Sequence, residues 1–311
     1  MQAQQLPVDG GAQQLAVRRY EPAGAPRASI VIGGAMGVRQ SFYEPFAQWL
    51  AQQGLRVWTF DYRGSGDSRG GAPLRGFKAD LFDWARDYEA VIDTAKAALP
   101  DEPLYLLGHS LGAQLPGFLQ RPEQVAGLVS IAAGSGYWRE NAPKLRRSIL
   151  YFWFVLVPLV TRLCGYFPGR KLKKVGDLPR GVILQWRRWC LNPRYSLGAE
   201  GDMAARSYGR VRFPVLALSI TDDELMTLAG TESLLSFYAG APSAVERIAP
   251  ADVQARRIGH FGFFREQFSQ SLWPSMVDKL HRLAALTAPV ALAAPAAPAA
   301  VQHASVPHTT A

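Results

Sequence analysis

Cysteine is nearly absent. Cys164 and Cys190 are the two in 311 residues, and so sparse a pair in a chain this long gives no disulfide framework. The amino-terminal Met1-Gln2-Ala3-Gln4-Gln5 lacks the basic start and apolar core of a signal peptide, so a cytoplasmic location is expected. No apolar run is long enough to span a bilayer. The longest, residues 149–163, falls short of the ~20 residues a span needs and is interrupted by Pro158. Metal-ligand spacing and a glycine-rich dinucleotide loop are both missing, so no cofactor is implied. No internal repeat is found. From Pro289 onward charged side chains are absent and Ala and Pro dominate, a composition that builds no core and reads as a disordered tail over 289–311.

What is present suits a globular core, with 48% hydrophobic and 19% charged residues. The formal charge of +9 is unevenly spread. Residues 137–212 hold 16 Lys and Arg against 4 Asp and Glu, and the remainder is slightly acidic. A basic segment of this kind attracts anionic lipid, nucleic acid or an acidic substrate, or is simply a solvated face.

Strands are expected at 14–20, 30–32, 55–60, 104–107, 125–132, 214–220 and 245–248, and helices at 41–53, 80–99 and 228–238. Their alternation predicts an α/β fold with a mostly parallel sheet covered on both faces. The rhythm breaks over 137–212. Within it the apolar run 149–163 reads as a buried helix. Its basic flanks, Lys144, Arg146 and Arg147 before it and Arg170, Lys171, Lys173 and Lys174 after it, also suit a segment lying on an anionic membrane. Trp186 and Trp189 bracket two arginines, yet no recognised module accompanies them and nucleic-acid binding is not expected.

The chemistry concentrates at Gly108-His109-Ser110-Leu111-Gly112, a G-x-S-x-G string between a short apolar strand and what reads as the start of a helix, constrained by Pro116. A serine on so tight a turn is held in a strained conformation with its hydroxyl exposed above the sheet. Here the chain resembles the α/β-hydrolase family, nearest its serine-aminopeptidase-like and monoacylglycerol-lipase-like branch, over roughly residues 14–285. The Asp61-Tyr62-Arg63-Gly64-Ser65-Gly66-Asp67-Ser68 string is similar to a structural loop of the same family.

The resemblance implies an α/β-hydrolase core over 1–136 and 213–288, with a helical cap inserted at 137–212. It implies Ser110 as nucleophile, Asp223 as triad acid with Asp222 as the alternative, and His260 as base, in the chain order Ser, Asp, His. It implies an oxyanion hole from the backbone N–H groups of Leu111 and Ala35, with Met36 as the alternative to Ala35. The family often has His-Gly at that loop, and here Gly33 stands where the His would be. The function so implied is a serine hydrolase acting through an acyl-enzyme on a small-molecule ester with an apolar or lipid-like acyl group. A thioesterase or amidase is the runner-up, and a non-catalytic binder of the same fold is the alternative of another class.

Overall fold

The structure, a computed structural model, describes residues 1–286; the tail expected at 289–311 lies outside the described residues. Eight strands form one sheet: β1 (Gln2–Val8), β2 (Gln13–Tyr20), β3 (Ser29–Gly33), β4 (Arg56–Phe60), β5 (Leu104–His109), β6 (Gly127–Ile131), β9 (Val215–Ile220) and β10 (Ser243–Ile248). Their spatial order is β1-β2-β4-β3-β5-β6-β9-β10. β2 is antiparallel to both its neighbours and every other pairing is parallel. β3, β6 and β9 are buried at every position, as apolar runs covered on both faces should be.

Helices α1 (Glu44–Gln52) and α10 (Ser275–Leu286) pack one apolar cluster against one face. Helix α2 (Leu81–Ala98) closes the other. Its start is fixed by a reciprocal cap, in which the Asp80 carboxylate accepts from the Asp83 amide and the Asp83 carboxylate from the Asp80 amide, both at 2.9 Å. Helix α8 (Leu228–Phe237) and the single turn α9 (Gly259–Gly262) complete the part after β9.

Between β6 and β9 no residue joins the main sheet. The chain forms α3 (Arg146–Tyr151), a wider π turn (Phe152–Leu156), α4 (Val157–Cys164), the small hairpin β7 (Tyr166–Pro168) and β8 (Asp177–Pro179), then α5 (Arg180–Leu191), α6 (Tyr195–Glu200) and α7 (Asp202–Gly209). Trp189 stacks on Phe118 of the core at 5.5 Å, and Trp186 meets Trp153 edge-on at 4.9 Å. These tryptophans pack the insertion rather than present stacking faces.

Two expectations are corrected. The apolar run 149–163 is helical but buried on one side only: Trp153 and Val157 join the core, while Tyr151, Phe154, Val155, Leu159 and Leu163 are 46% to 67% exposed along one stripe. Behind the elbow there is no regular α-helix. Two 3-10 turns, Ser110–Ala113 and Leu115–Phe118, take its place. Pro116 supplies no N–H and disfavours helical geometry in the residue before it.

The topology positions the site. β3 has β4 on one side and β5 on the other, so the chain reverses its direction of travel across the sheet here. In open α/β sheets ligands bind at such a reversal, beyond the carboxyl ends of the strands.

Candidate active site

Ser110 follows β5 with φ of 53°, a left-handed conformation that costs a non-glycine residue of order 1–3 kcal/mol and persists only where its surroundings enforce it. They do so here. A Cβ on Gly108 would lie 2.5 Å from the Ala113 amide, and one on Gly112 would overlap the Gly33 carbonyl oxygen. The elbow therefore sits directly on the backbone of the loop after β3. A Cβ on Gly33 would lie 2.5 Å from the Tyr88 ring. Tyr88 occupies the space a histidine at 33 would need.

The loop after β9 carries the acids. Asp223 Oδ1 accepts from the Leu225 and Met226 amides at 2.7 and 2.9 Å, and its Oδ2 lies 2.9 Å from His260 Nδ1. The carboxylate accepts, so Nδ1 carries the proton and Nε2 is left as the basic atom. His260 is 2% exposed.

The neighbouring acids hold the same loop by its backbone. Asp222 accepts from the Ile258 and Gly259 amides, each at 3.0 Å. Glu224 accepts from the His260 amide at 3.0 Å and pairs with Arg257 at 3.0 Å. Burial pushes the Glu224 carboxyl up, but the His260 amide and Arg257 outweigh it and hold it below the usual carboxylate range. Gly259 has φ of 65°, and a Cβ there would lie 2.8 Å from Glu224, so glycine is required for this grip. Three consecutive acids thus clamp residues 258–260, and the middle one alone meets the imidazole. Asp223 and Asp222, the two acids the sequence offers, thus have different partners, the imidazole for one and the loop backbone for the other.

A buried chain of hydrogen bonds runs beneath the elbow. His109 is fully buried, and its Nε2 lies 3.0 Å from the His260 carbonyl. Burial, reinforced by the charge of the nearby His260, pushes the His109 imidazole well below its usual range and keeps it neutral. The carbonyl can only accept, so Nε2 donates, and Nδ1 then accepts from the Tyr43 hydroxyl at 2.9 Å. That hydroxyl in turn accepts from the Ala35 amide at 2.8 Å. The chain ties together the loop after β3, the approach to α1, the elbow and the His260 loop.

It also involves the loop where the oxyanion donor is expected. The Ala35 N–H is committed to Tyr43, whereas the Met36 N–H has no partner among the described residues. The Leu111 N–H lies in the first turn after the elbow, where helical turns leave donors free. Ser110 itself is 8% exposed, and its hydroxyl makes no hydrogen bond among the described residues. The geometry therefore joins His260 to Asp223 directly, and joins the elbow to the His260 loop through His109.

A mostly parallel sheet, a strained serine at its reversal point and an Asp-His pair on the loops beyond it define an α/β-hydrolase. The family described as serine aminopeptidase, S33, matches residues 24–250, and the chain belongs to it. The chain is similar to mouse (Mus musculus) monoglyceride lipase, 32% identical over 133 residues, which are 42% of this chain and 43% of that protein. It is also similar to mouse lysophosphatidylserine lipase ABHD12, 37% identical over 172 residues, covering 50% of this chain and 41% of that protein. The match thus spans less than half the length of these curated relatives. Among solved structures, a soluble variant of monoglyceride lipase from Saccharomyces cerevisiae superposes with a TM-score of 0.65 at 14% identity, covering 91% of this chain and 94% of that one. A carboxyl esterase from Bacillus coagulans gives 0.59 at 13% identity, covering 91% and 98%. At such identities the likeness is one of fold.

Proposed function

We propose that the protein is a serine hydrolase cleaving carboxylic esters with an apolar or lipid-like acyl group through an acyl-enzyme. The observation that carries this is the 2.9 Å contact between Asp223 and His260 on a loop bonded to the residue before the strained Ser110. Ser110 attacks the ester carbonyl as His260 Nε2 takes its proton. Asp223 orients the ring and stabilises the imidazolium. The Met36 and Leu111 amides receive the oxyanion, a contribution of about 3 kcal/mol per donor in comparable sites. His260 then returns the proton to the leaving alcohol, and water releases the acid by the same steps in reverse. An ester is favoured over an amide because relatives of this chain are named as glyceride and lysophospholipid lipases. The direct test is a fluorophosphonate probe. It labels Ser110 in the folded protein, identified by peptide mass, and absence of labelling removes the hydrolase reading.

Residues 137–212 serve in this reading as a cap that meets lipid. No helix among the described residues is long and apolar enough to cross a membrane, but the stripe from Tyr151 to Leu163 faces outward beside exposed Arg162, Arg170, Lys171, Lys173 and Lys174. Burying one such apolar side chain is worth roughly 1.5–3 kcal/mol, and each nearby cation adds about 1 kcal/mol on an anionic leaflet. The protein is expected to sediment with phosphatidylglycerol-containing vesicles at low salt. Phe154→Glu or Leu159→Glu should weaken that binding about tenfold or more. Failure of the wild-type protein to sediment ends the membrane reading.

A further inference from the structure

A pocket of about 260 Å³ lies where three separate segments meet. Arg39 follows the loop after β3, Arg69 ends the turn after the 61–68 loop, and Arg170 lies in the hairpin between β7 and β8. Ser65, Gly37 and Gly176 complete its inner wall. A Cβ on Gly37 would lie 2.5 Å from the Gly176 amide, so the hairpin and the loop after β3 meet as bare backbone.

The charges here do not balance. Asp177 is the single carboxylate lining the pocket. It accepts from the Arg170 amide at 3.1 Å and lies 3.9 Å from the Arg69 guanidinium. Asp61 sits behind Gly66, where its carboxylate accepts from the Gln40 and Asp67 amides, each at 2.8 Å. Asp67 is paired with Arg18 at 3.3 Å. The guanidinium groups of Arg39 and Arg170 have no partner among the described residues, and neither does the Ser65 hydroxyl, although Ser65 is buried.

Two free planar forks, a third arginine and a free hydroxyl around one small pocket match the donor set that phosphate oxygens accept. Arg39 and Arg170 are exposed, and no carboxylate among the described residues reaches either guanidinium. We propose that this pocket is a phosphate-class anion site and that, on the hydrolase reading above, it receives a phosphate carried by the alcohol portion of the ester. Gly37 directly follows Met36, the proposed oxyanion donor, so their Cα atoms are about 3.8 Å apart. The pocket therefore borders the same loop that carries the proposed oxyanion donor.

Binding is tested without turnover, by calorimetric titration of Ser110→Ala with inorganic phosphate and with glycerol 3-phosphate. Saturable binding is expected. It should weaken at least tenfold when Arg39→Ala and Arg170→Ala are added together, and stay unchanged with Lys78→Ala and Arg206→Ala, two exposed cations elsewhere. Thermal melting checks that the variants are folded. No saturable binding, or equal loss in both pairs, overturns the site. In active protein, kcat/KM for a monoacylglycerol phosphate should exceed that for the monoacylglycerol of the same acyl chain about tenfold, and Arg39→Ala/Arg170→Ala should abolish the difference. Phosphate binding without that preference supports the site, overturns its headgroup role and makes free phosphate the ligand. Phosphate binding in a protein that hydrolyses neither ester sinks the hydrolase reading and leaves the pocket standing.

Discussion

Ser110→Ala should lower kcat for a medium-chain carboxylic ester by about 10⁴- to 10⁶-fold, the range found when a triad nucleophile is removed. KM should change little, because the residues shaping the site stay in place. The fold should survive. Ser110 holds a φ of 53° as any non-glycine residue at this position must, so alanine inherits the strain without adding to it. The measurement is steady-state hydrolysis across acyl lengths, with thermal melting as control. Residual activity within tenfold of wild type would mean that some other group attacks the ester, and the proposed mechanism would fall.

Asp223→Asn should lower kcat by about 10⁴-fold, because an amide in place of the carboxylate lets His260 adopt the wrong tautomer. Asp222→Asn tests a different role. Its carboxylate accepts from two backbone amides, and asparagine retains one acceptor oxygen. The expected outcome is a loss of less than tenfold in kcat, with a lowered melting temperature as the 258–260 loop loosens. Comparing kcat and melting temperature in the two variants separates orientation of the imidazole from anchorage of its loop. A larger kcat loss at Asp222 than at Asp223 would reassign the acid.

Much of this architecture was legible in the sequence because buried parallel strands are short apolar runs and α2 carries one apolar face. β1 was not, since Gln2-Ala3-Gln4-Gln5-Leu6-Pro7-Val8 has little apolar alternation and is largely exposed. It is defined by its partner, pairing with β2 along its whole length. The serine, histidine and acidic loop of the proposed site could be named from motif and order. The proposed choice of Met36 over Ala35 as oxyanion donor could not, because it rests on the bond from the Ala35 amide to a tyrosine eight residues away. Nor could the Asp222 and Glu224 clamps, which grip backbone amides 36 or 37 residues distant. Backbone amides carry no residue type, so no motif records them.

The π turn at Phe152–Leu156 sets where the outward stripe points. Regular winding advances about 100° per residue, which would carry Leu163 about 120° round the axis from Tyr151. A π turn accommodates roughly one extra residue and cancels most of that drift, returning Leu159 and Leu163 to the line of Tyr151 and Phe154. Winding the unchanged sequence as an ordinary helix would rotate everything downstream and split one continuous greasy ridge into two misaligned halves, whereas deleting one residue at the turn would keep them in line.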